Sequence, residues 1–163
     1  MGCAYKIMGS PVGQLKLVAS DDGLAAVLWE NDDPHRVKLG ELSERVDHPL
    51  LLQAEAELTE YFNGKRTAFS VPLDLVGTDF QKKVWGALQG IPFGETQTYA
   101  DLAKIIGSPK ASRAVGAAIG KNPVSIITPC HRAIGSDGSL TGFAGGLDAK
   151  RFLLALEGYR FLI

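Results

Sequence analysis

Pro129, Cys130, His131 and Arg132 stand in a row at the end of an apolar run, and the row holds one of only two cysteines in the chain. A thiol beside an imidazole, delivered by a short stiff segment, points to a nucleophile rather than to a disulfide partner or a packing residue. The plainer reading of a cysteine after an apolar run is a buried, inert one. His131 and Arg132 count against it, because burying two polar side chains without purpose is costly. A third group comes from the last helix, predicted over roughly Asp148 to Glu157, with Phe152, Ala155 and Leu156 inward and Gly158 as its stop. Glu157 then falls in the final turn, where the helix dipole disfavours an anion by about 0.3 to 1 kcal/mol, and something must compensate it. Cys130, His131 and Glu157 have the logic of a nucleophile triad: carboxylate holds imidazole, imidazole accepts a proton, thiolate attacks. A solvent-exposed Glu157 is the common alternative.

The elements that must deliver these groups lie upstream. After Asn122-Pro123 comes the apolar run Val124 to Ile127, then Thr128-Pro129. A residue before proline is pushed away from helix, so the segment is expected to be extended and to carry Cys130 out of the core. Extended backbone puts Cys130 and His131 on opposite sides, so a bridging water or a local bend is needed between them. Before this segment, short helices are punctuated clearly. Thr78 or Asp79 caps one whose Phe80, Val84 and Leu88 recur at i, i+4, i+8 before Gly90-Ile91-Pro92. Thr98 caps the next, with Asp101 three residues on, Leu102, Ala103 and Ile106 inward, and Gly107 as its stop. Ser108 and Pro109 are expected to start another at once, running to Gly120. That is a helix-turn-helix pattern, also compatible with an ordinary tight helix pair. Small residues (Ala111, Ser112, Ala114, Gly116, Ala117, Ala118) cover much of the second helix, and its large polar projections are Lys110, Arg113 and Lys121. Those features favour contact with DNA.

The amino-terminal half carries no such chemistry. Tyr5 to Met8, Gln14 to Ser20 and Leu24 to Trp29 read as a meander of antiparallel strands, separated by the turns Ser10-Pro11-Val12-Gly13 and Asp21-Asp22-Gly23. A helix is predicted from about Pro49 to Asn63, with Leu51, Leu52, Leu58, Tyr61 and Phe62 near one face and Gly64 as its stop, and Val71 to Leu75 reads as a further strand. Val76-Gly77-Thr78 reads as a linker, which divides the chain into a domain of residues 1–76 and another of residues 77–163. Charge divides at the same place: seven Lys/Arg against twelve Asp/Glu before Gly77, a net of −5, and ten against six after it, a net of +4. From Ile105 to Ser136 there are four basic residues and no acidic one. A basic patch on a chain of net charge −1 points to a local anionic partner.

At 163 residues with 45% apolar content the chain can bury its own core. The first thirty residues lack the charged start and greasy middle of a signal peptide, and no apolar stretch approaches the ~20 residues that span a bilayer, so a soluble cytoplasmic protein is expected. Cys3 and Cys130 are expected to be thiols. Three scattered histidines and two distant cysteines lack zinc spacing, so no metal is expected.

Pro129-Cys130-His131-Arg132, with Asn122-Pro123-Val124 upstream and Gly145-Gly146 and Glu157-Gly158 downstream, closely resembles the O6-alkylguanine-DNA alkyltransferases, also called methylated-DNA-protein-cysteine methyltransferases. The same spacing holds for Thr98-Tyr99, Ser112-Arg113-Ala114-Val115-Gly116 and Lys121-Asn122-Pro123, and the resemblance covers essentially the whole chain. It implies an α+β protein: a small ribonuclease H-like antiparallel sheet with a helix, then a winged helix-turn-helix domain that binds DNA and catalyses. The implied activity is repair by transfer of an alkyl group from O6 of guanine, less readily O4 of thymine, onto Cys130, once per molecule.

By the same resemblance, Glu157 and His131 deprotonate Cys130 through a bridging water, and Asn122 holds the turn before the active-site segment. Tyr99, assisted by Lys150, gives a proton or hydrogen bond to the departing base. Main-chain groups of Cys130, Ala133 and Ala144 read the base edge beside Phe143. Arg113 fills the gap left by a base flipped out of the duplex, while Ala111, Ser112 and Gly116 let the helix enter the minor groove near Lys110. The implied partner is double-stranded DNA with alkylated bases; a monomer without cofactor is expected.

The chain departs from relatives that hold zinc in the amino-terminal domain, since the ligands are missing. It has Phe143, Ala144 and Ser125 where some relatives carry an aromatic hydroxyl and small polar residues, and no separate phosphotriester-accepting module is expected. Two rival classes are a winged-helix protein that flags alkylated DNA without repairing it and a thiol peptidase. The first is disfavoured by Cys130, the second by the adjacency of Cys130 and His131.

Overall fold

Strand alternation in the first thirty residues produces three strands that pair in sequence order. The computed structural model describes residues 2–140 and 142–159. Strands β1 (Cys3–Met8), β2 (Leu15–Ala19) and β3 (Leu24–Trp29) form an antiparallel meander with Tyr5 opposite Val18 and Leu17 opposite Val27. A fourth strand, β4 (Leu42–Glu44), pairs parallel to the outer edge of β1, giving the order β3-β2-β1-β4. Its pairing also anchors Cys3, whose N–H donates to Glu41 O at 2.8 Å.

Helix α1 (Pro49–Phe62) places Leu51, Ala54, Leu58 and Tyr61, spaced as one helical stripe, in the core. Each leucine buried there stabilises the fold by roughly 1.5–3 kcal/mol. Leu52, expected on that face, is exposed at 44%; it sits one position off the stripe. Glu57 is 4% exposed and accepts hydrogen bonds from Ser70 N (2.9 Å), Ser70 Oγ (2.6 Å), Val71 N (3.1 Å) and Gln53 Nε2 (3.0 Å). The stretch 71–75 is not a strand. It makes one isolated bridge, Leu73 to Leu24, because Pro72 has no N–H and the Val71 N–H is spent on Glu57. Its close approach requires Gly23, where a Cβ would lie 2.8 Å from Leu73 C and 2.9 Å from Pro72 O.

The chain forms two units, one running to Val76 and including Pro123–Ser125, the other comprising Gly77–Asn122 and the chain from Ile126 onward. Pro123–Ser125 lie along β3: Val27 N donates to Pro123 O at 2.9 Å, Val124 bridges Val27, and Trp29 Nε1 donates to Ser125 Oγ at 3.1 Å.

In the second unit, α2 (Asp79–Gln89) and α3 (Tyr99–Ile105) each begin with a reciprocal capping box, Thr78 with Gln81 and Thr98 with Asp101. They pack on each other and on α4 (Ser112–Gly120). Trp85, fully buried on α2, donates Nε1 to Ala118 O on α4 at 2.8 Å. Helix α4 starts later than Ser108. Residues 108–111 form a turn closed by Ala111 N to Ser108 O at 2.9 Å, with Pro109 in the second position that such turns favour. Lys110 and Ala111 therefore precede the helix. Two-residue strands β5 (Gln97–Thr98) and β6 (Ala133–Ile134) pair in parallel, and α5 (Leu147–Leu156) closes the unit. No helix among the described residues is long and apolar enough to cross a membrane.

Candidate active site

The apolar run before Cys130 folds into a closed loop, not an extended strand. Asn122, fully buried, donates Nδ2 to Thr128 O at 2.9 Å and closes the neck. At the far side, Ile126 reverses the chain with φ 73°, a left-handed conformation that a β-branched side chain adopts only at a cost of order 1–3 kcal/mol. Ile126 is itself fully buried, and the apolar burial of the loop offsets that strain.

Cys130 is consequently not carried out of the core. It is 5% exposed and opens a 3₁₀ turn, Cys130–Arg132, entered from Pro129 at φ −80° and ψ 68°. With about three residues per turn, neighbouring side chains splay by roughly 120° instead of opposing each other. The local bend that adjacency demanded is this turn. Neither Cys3 nor Cys130 is in a disulfide.

Glu157 is the C-cap of α5 and is 5% exposed, so the solvent-exposed alternative fails. Its carboxylate is held by three strong contacts: Arg132 Nε to Oε1 at 2.8 Å, Arg132 Nη2 to Oε2 at 3.0 Å, and His131 Nε2 to Oε2 at 2.7 Å. Gly94 N adds a longer bond at 3.5 Å, and Arg132 Nη1 donates to Ile91 O at 2.6 Å. The forked guanidinium supplies the compensation that an anion at a helix C-terminus needs. Arg132 stands in the Pro129–Arg132 tetrapeptide, but its role is not legible there; a carboxylate at the end of a helix is the clue to it.

His131 is fully buried. Burial is the largest influence on its pKa and pushes it below the ordinary 6.5; the hydrogen bond and charge of Glu157 pull the other way, and Arg132 and Lys150 repel a proton. The ring is therefore neutral at pH 7. A carboxylate already accepting from Arg132 must also accept from Nε2, so the ring hydrogen sits on Nε2 and Nδ1 carries a lone pair. Nδ1 is buried and has no hydrogen-bond partner.

The turn ends in β6. Ala133 donates its N–H to Cys130 O and accepts from Lys150 Nζ at 2.7 Å. The β5–β6 register sets Gln97 beside Ala133 and Thr98 beside Ile134, which fixes half-buried Tyr99, the first residue of α3, one step beyond the pair. Lys150 lies under the Phe143 ring, Nζ to centroid 5.9 Å, and Ala144 is exposed. The structure thus brings Cys130, His131, Glu157, Arg132, Ala133 and Lys150 together through direct bonds, with Asn122 supporting the loop that leads to them.

Arg113, Ala111, Ser112, Gly116 and Lys110 form a separate surface at the start and outer face of α4. Lys110, Arg113, Ala114, Ala117 and Lys121 are exposed, whereas Val115, Ala118 and Ile119 are buried. Ala118, expected on the surface, packs inward because its carbonyl receives Trp85. A Cβ added at Gly116 would meet no atom within 4 Å, so the fold itself does not need a glycine there. Among the described residues no three His, Cys, Asp or Glu side chains are grouped to hold a metal.

Known proteins with this architecture carry names. A family model described as 6-O-methylguanine DNA methyltransferase, DNA binding domain, matches residues 79–159, and one described as the ribonuclease-like domain of the same proteins matches residues 3–75. The methylated-DNA–protein-cysteine methyltransferase of Methanosarcina acetivorans is 48% identical over 155 residues, covering 94% of this chain and 97% of its own. That of Mycobacterium tuberculosis is 45% identical over 162 residues, covering 96% and 93%. The crystal structure of Mycobacterium tuberculosis OGT in complex with DNA superposes with a TM-score of 0.87 at 44% identity, covering 94% of this chain and 92% of that one.

Proposed function

The chain belongs to the 6-O-methylguanine DNA methyltransferases, and from that premise we propose that Cys130 is the alkyl acceptor and that the Arg132–Glu157–His131 chain activates it. It is a methylated-DNA–protein-cysteine methyltransferase, a DNA repair protein that takes an alkyl group directly from DNA onto its own thiol. The observation that carries the assignment of Cys130 is the buried hydrogen-bond chain that ends at His131 Nδ1, an acceptor without a partner in the residue next to the thiol. A buried acceptor needs a donor, and a water linking Nδ1 to the thiol supplies one.

The step then balances. The S–H proton passes through that water to Nδ1, and Glu157 steadies the imidazolium that forms. The sulfur lone pair forms the S–C bond as the C–O6 bond breaks, and the electron pair leaves with the purine, which gains one proton from Tyr99 with the help of Lys150. The imidazolium proton replaces that one. Main-chain groups of Cys130, Ala133 and Ala144, beside Phe143, read the base edge. Asn122 keeps the loop closed so that the thiol stays in place. The product thioether has no hydrolytic route among these groups, so each molecule acts once.

The reactive carbon is out of reach inside a duplex, so the nucleotide must be rotated out. Helix α4 fits a minor-groove approach: Ala111, Ser112 and Gly116 present little bulk, Gly116 is small where the fold does not require it, and Arg113 projects from the helix start to fill the gap in the stack. Lys110 and Lys121 flank that face for phosphates, giving salt-dependent binding with little sequence preference. O4-alkylthymine is a poorer substrate on this reading, and the protein acts as a monomer in the cytoplasm.

The test is to incubate the protein with a duplex containing O6-methylguanine and weigh its peptides. A gain of one methyl on the peptide holding Cys130 supports the assignment. Tight binding with unchanged mass sinks it in favour of a damage-flagging protein.

A further inference from the structure

Lys150 is a buried cation without an acid. It is 1% exposed, its Nζ donates to Ala133 O at 2.7 Å and lies 5.9 Å from the Phe143 centroid, and it pairs with no carboxylate among the described residues. The one buried carboxylate among the described residues of this unit, Glu157, is already taken by Arg132 and His131. A carbonyl and a ring face offer partial charge only, and an ammonium out of water with no counter-ion is costly. Such a site keeps a lysine in place of a methionine only if an anion forms beside it. The ammonium is bonded to Ala133, whose own N–H is bonded to Cys130 O, so it is fixed at the end of the turn that Cys130 begins.

We propose that Lys150 is the counter-cation of the Cys130 thiolate, a charge fixed through Ala133 that stabilises the sulfur anion as its proton leaves. The inference rests on Cys130 being the acceptor and gives Lys150 a role distinct from assisting Tyr99. Burial pushes its pKa down to about 8, and the Cys130 charge is what pulls it back up. Pairing is reciprocal: a thiolate that helps Lys150 keep its proton is helped by Lys150 to lose its own. The same charge repels a proton from His131, which keeps that ring an acceptor. Among the described residues, His131 is the other titratable group that feels this charge, Arg132 and Glu157 neutralise each other, and Asp148 and Arg151 are exposed on α5 itself.

The experiment follows the rate of carboxamidomethylation of Cys130 by iodoacetamide from pH 5 to 10, without DNA, in the full-length protein and in Lys150→Met and Lys150→Arg. Removing the charge should move the profile of Lys150→Met up by at least about one pH unit, so that labelling at pH 7 is ~10-fold slower or more, with full rate recovered at high pH. Lys150→Arg keeps the charge and should restore the low-pH profile. A profile of Lys150→Met that coincides with wild type overturns the proposal, as does a loss equal at every pH, which is the mark of a merely structural lysine.

Should either variant fail to fold, the Lys150 side chain is titrated by NMR in wild type and in Cys130→Ser. Its pKa should fall when the thiolate is removed, and an unchanged value overturns the proposal. Methyl found on Cys130 after reaction with the O6-methylguanine duplex, together with coincident profiles, refutes Lys150 alone. Methyl absent from Cys130 refutes the acceptor and the counter-cation together.

Discussion

Two buried glutamates, one in each unit, lie at the same depth in different company: neutral donors surround one, and a guanidinium and an imidazole hold the other. Glu57 is 4% exposed and Glu157 is 5% exposed. Glu57 accepts from the main chain of Ser70 and Val71 and from the Ser70 and Gln53 side chains, all neutral donors. It ties residues 70–71 to α1 and ends there. Glu157 accepts instead from a guanidinium and an imidazole, and beyond the imidazole stands an unfilled acceptor. A closed network fixes a backbone, while an open one can move a proton.

The largest expected difference comes from removing each carboxylate. Glu157→Ala leaves Arg132 buried without its partner, which costs about 3–5 kcal/mol, and it frees the ring of His131 to turn. The single-turnover transfer rate of the protein that remains folded should drop ~10²- to 10⁴-fold. Glu57→Ala should cost about 1–3 kcal/mol through the donors it strands, with the transfer rate within about twofold of wild type. Denaturant melts and single-turnover kinetics read both, and a large rate loss in Glu57→Ala breaks the comparison.

Acid should separate the two sites next. Burial alone would raise the pKa of Glu57, but the hydrogen bonds from Ser70, Gln53 and Val71 hold it below 4.5. Its contribution is therefore present above 4.5 and is lost as pH falls through the lower folded value. His131 is a base whose folded pKa lies below 6.5, so the unfolded chain binds the proton first and stability starts to fall once pH drops below 6.5. Melts against pH should show the earlier decline vanish in His131→Gln and the later one vanish in Glu57→Gln.

A smaller effect belongs to the cap of α3. Thr98→Ala removes the hydroxyl that accepts from Asp101 N at 3.0 Å and should cost about 1 kcal/mol, with a modest rate loss because Tyr99 follows the cap directly. The smallest change in stability, within about 0.5 kcal/mol, is expected from exposed Arg113→Ala. That variant should nonetheless lose repair of duplex DNA far more than reaction with the free modified base. Equal losses on the two substrates contradict the flipping role.

The three meander strands and the two capping boxes were legible because alternation and cap chemistry are local. Strand β4 was not, since Leu42–Glu44 is three residues long and owes its state to the edge of β1. Pro109 fits a helix start and a turn equally well by type, and only the Ala111–Ser108 bond decides for the turn. The same limit applied near the thiol. Thr128-Pro129 predicts extended backbone, but the Asn122–Thr128 bond and the left-handed Ile126 bend the segment into a loop, and both depend on residues packed from elsewhere. Glu157 stood out because a carboxylate ends a helix there; Glu57 did not, because on a predicted helix face it looks like any solvated acid.

Activation of the Cys130 thiol turns on one proton. The ¹⁵N resonances of the His131 ring, read at pH 7 in the unalkylated protein, test it most directly. A neutral ring with its hydrogen on Nε2 and an unprotonated Nδ1 is the predicted result. A hydrogen on Nδ1, whether in the other neutral tautomer or in an imidazolium, leaves no acceptor for the thiol proton and contradicts the account.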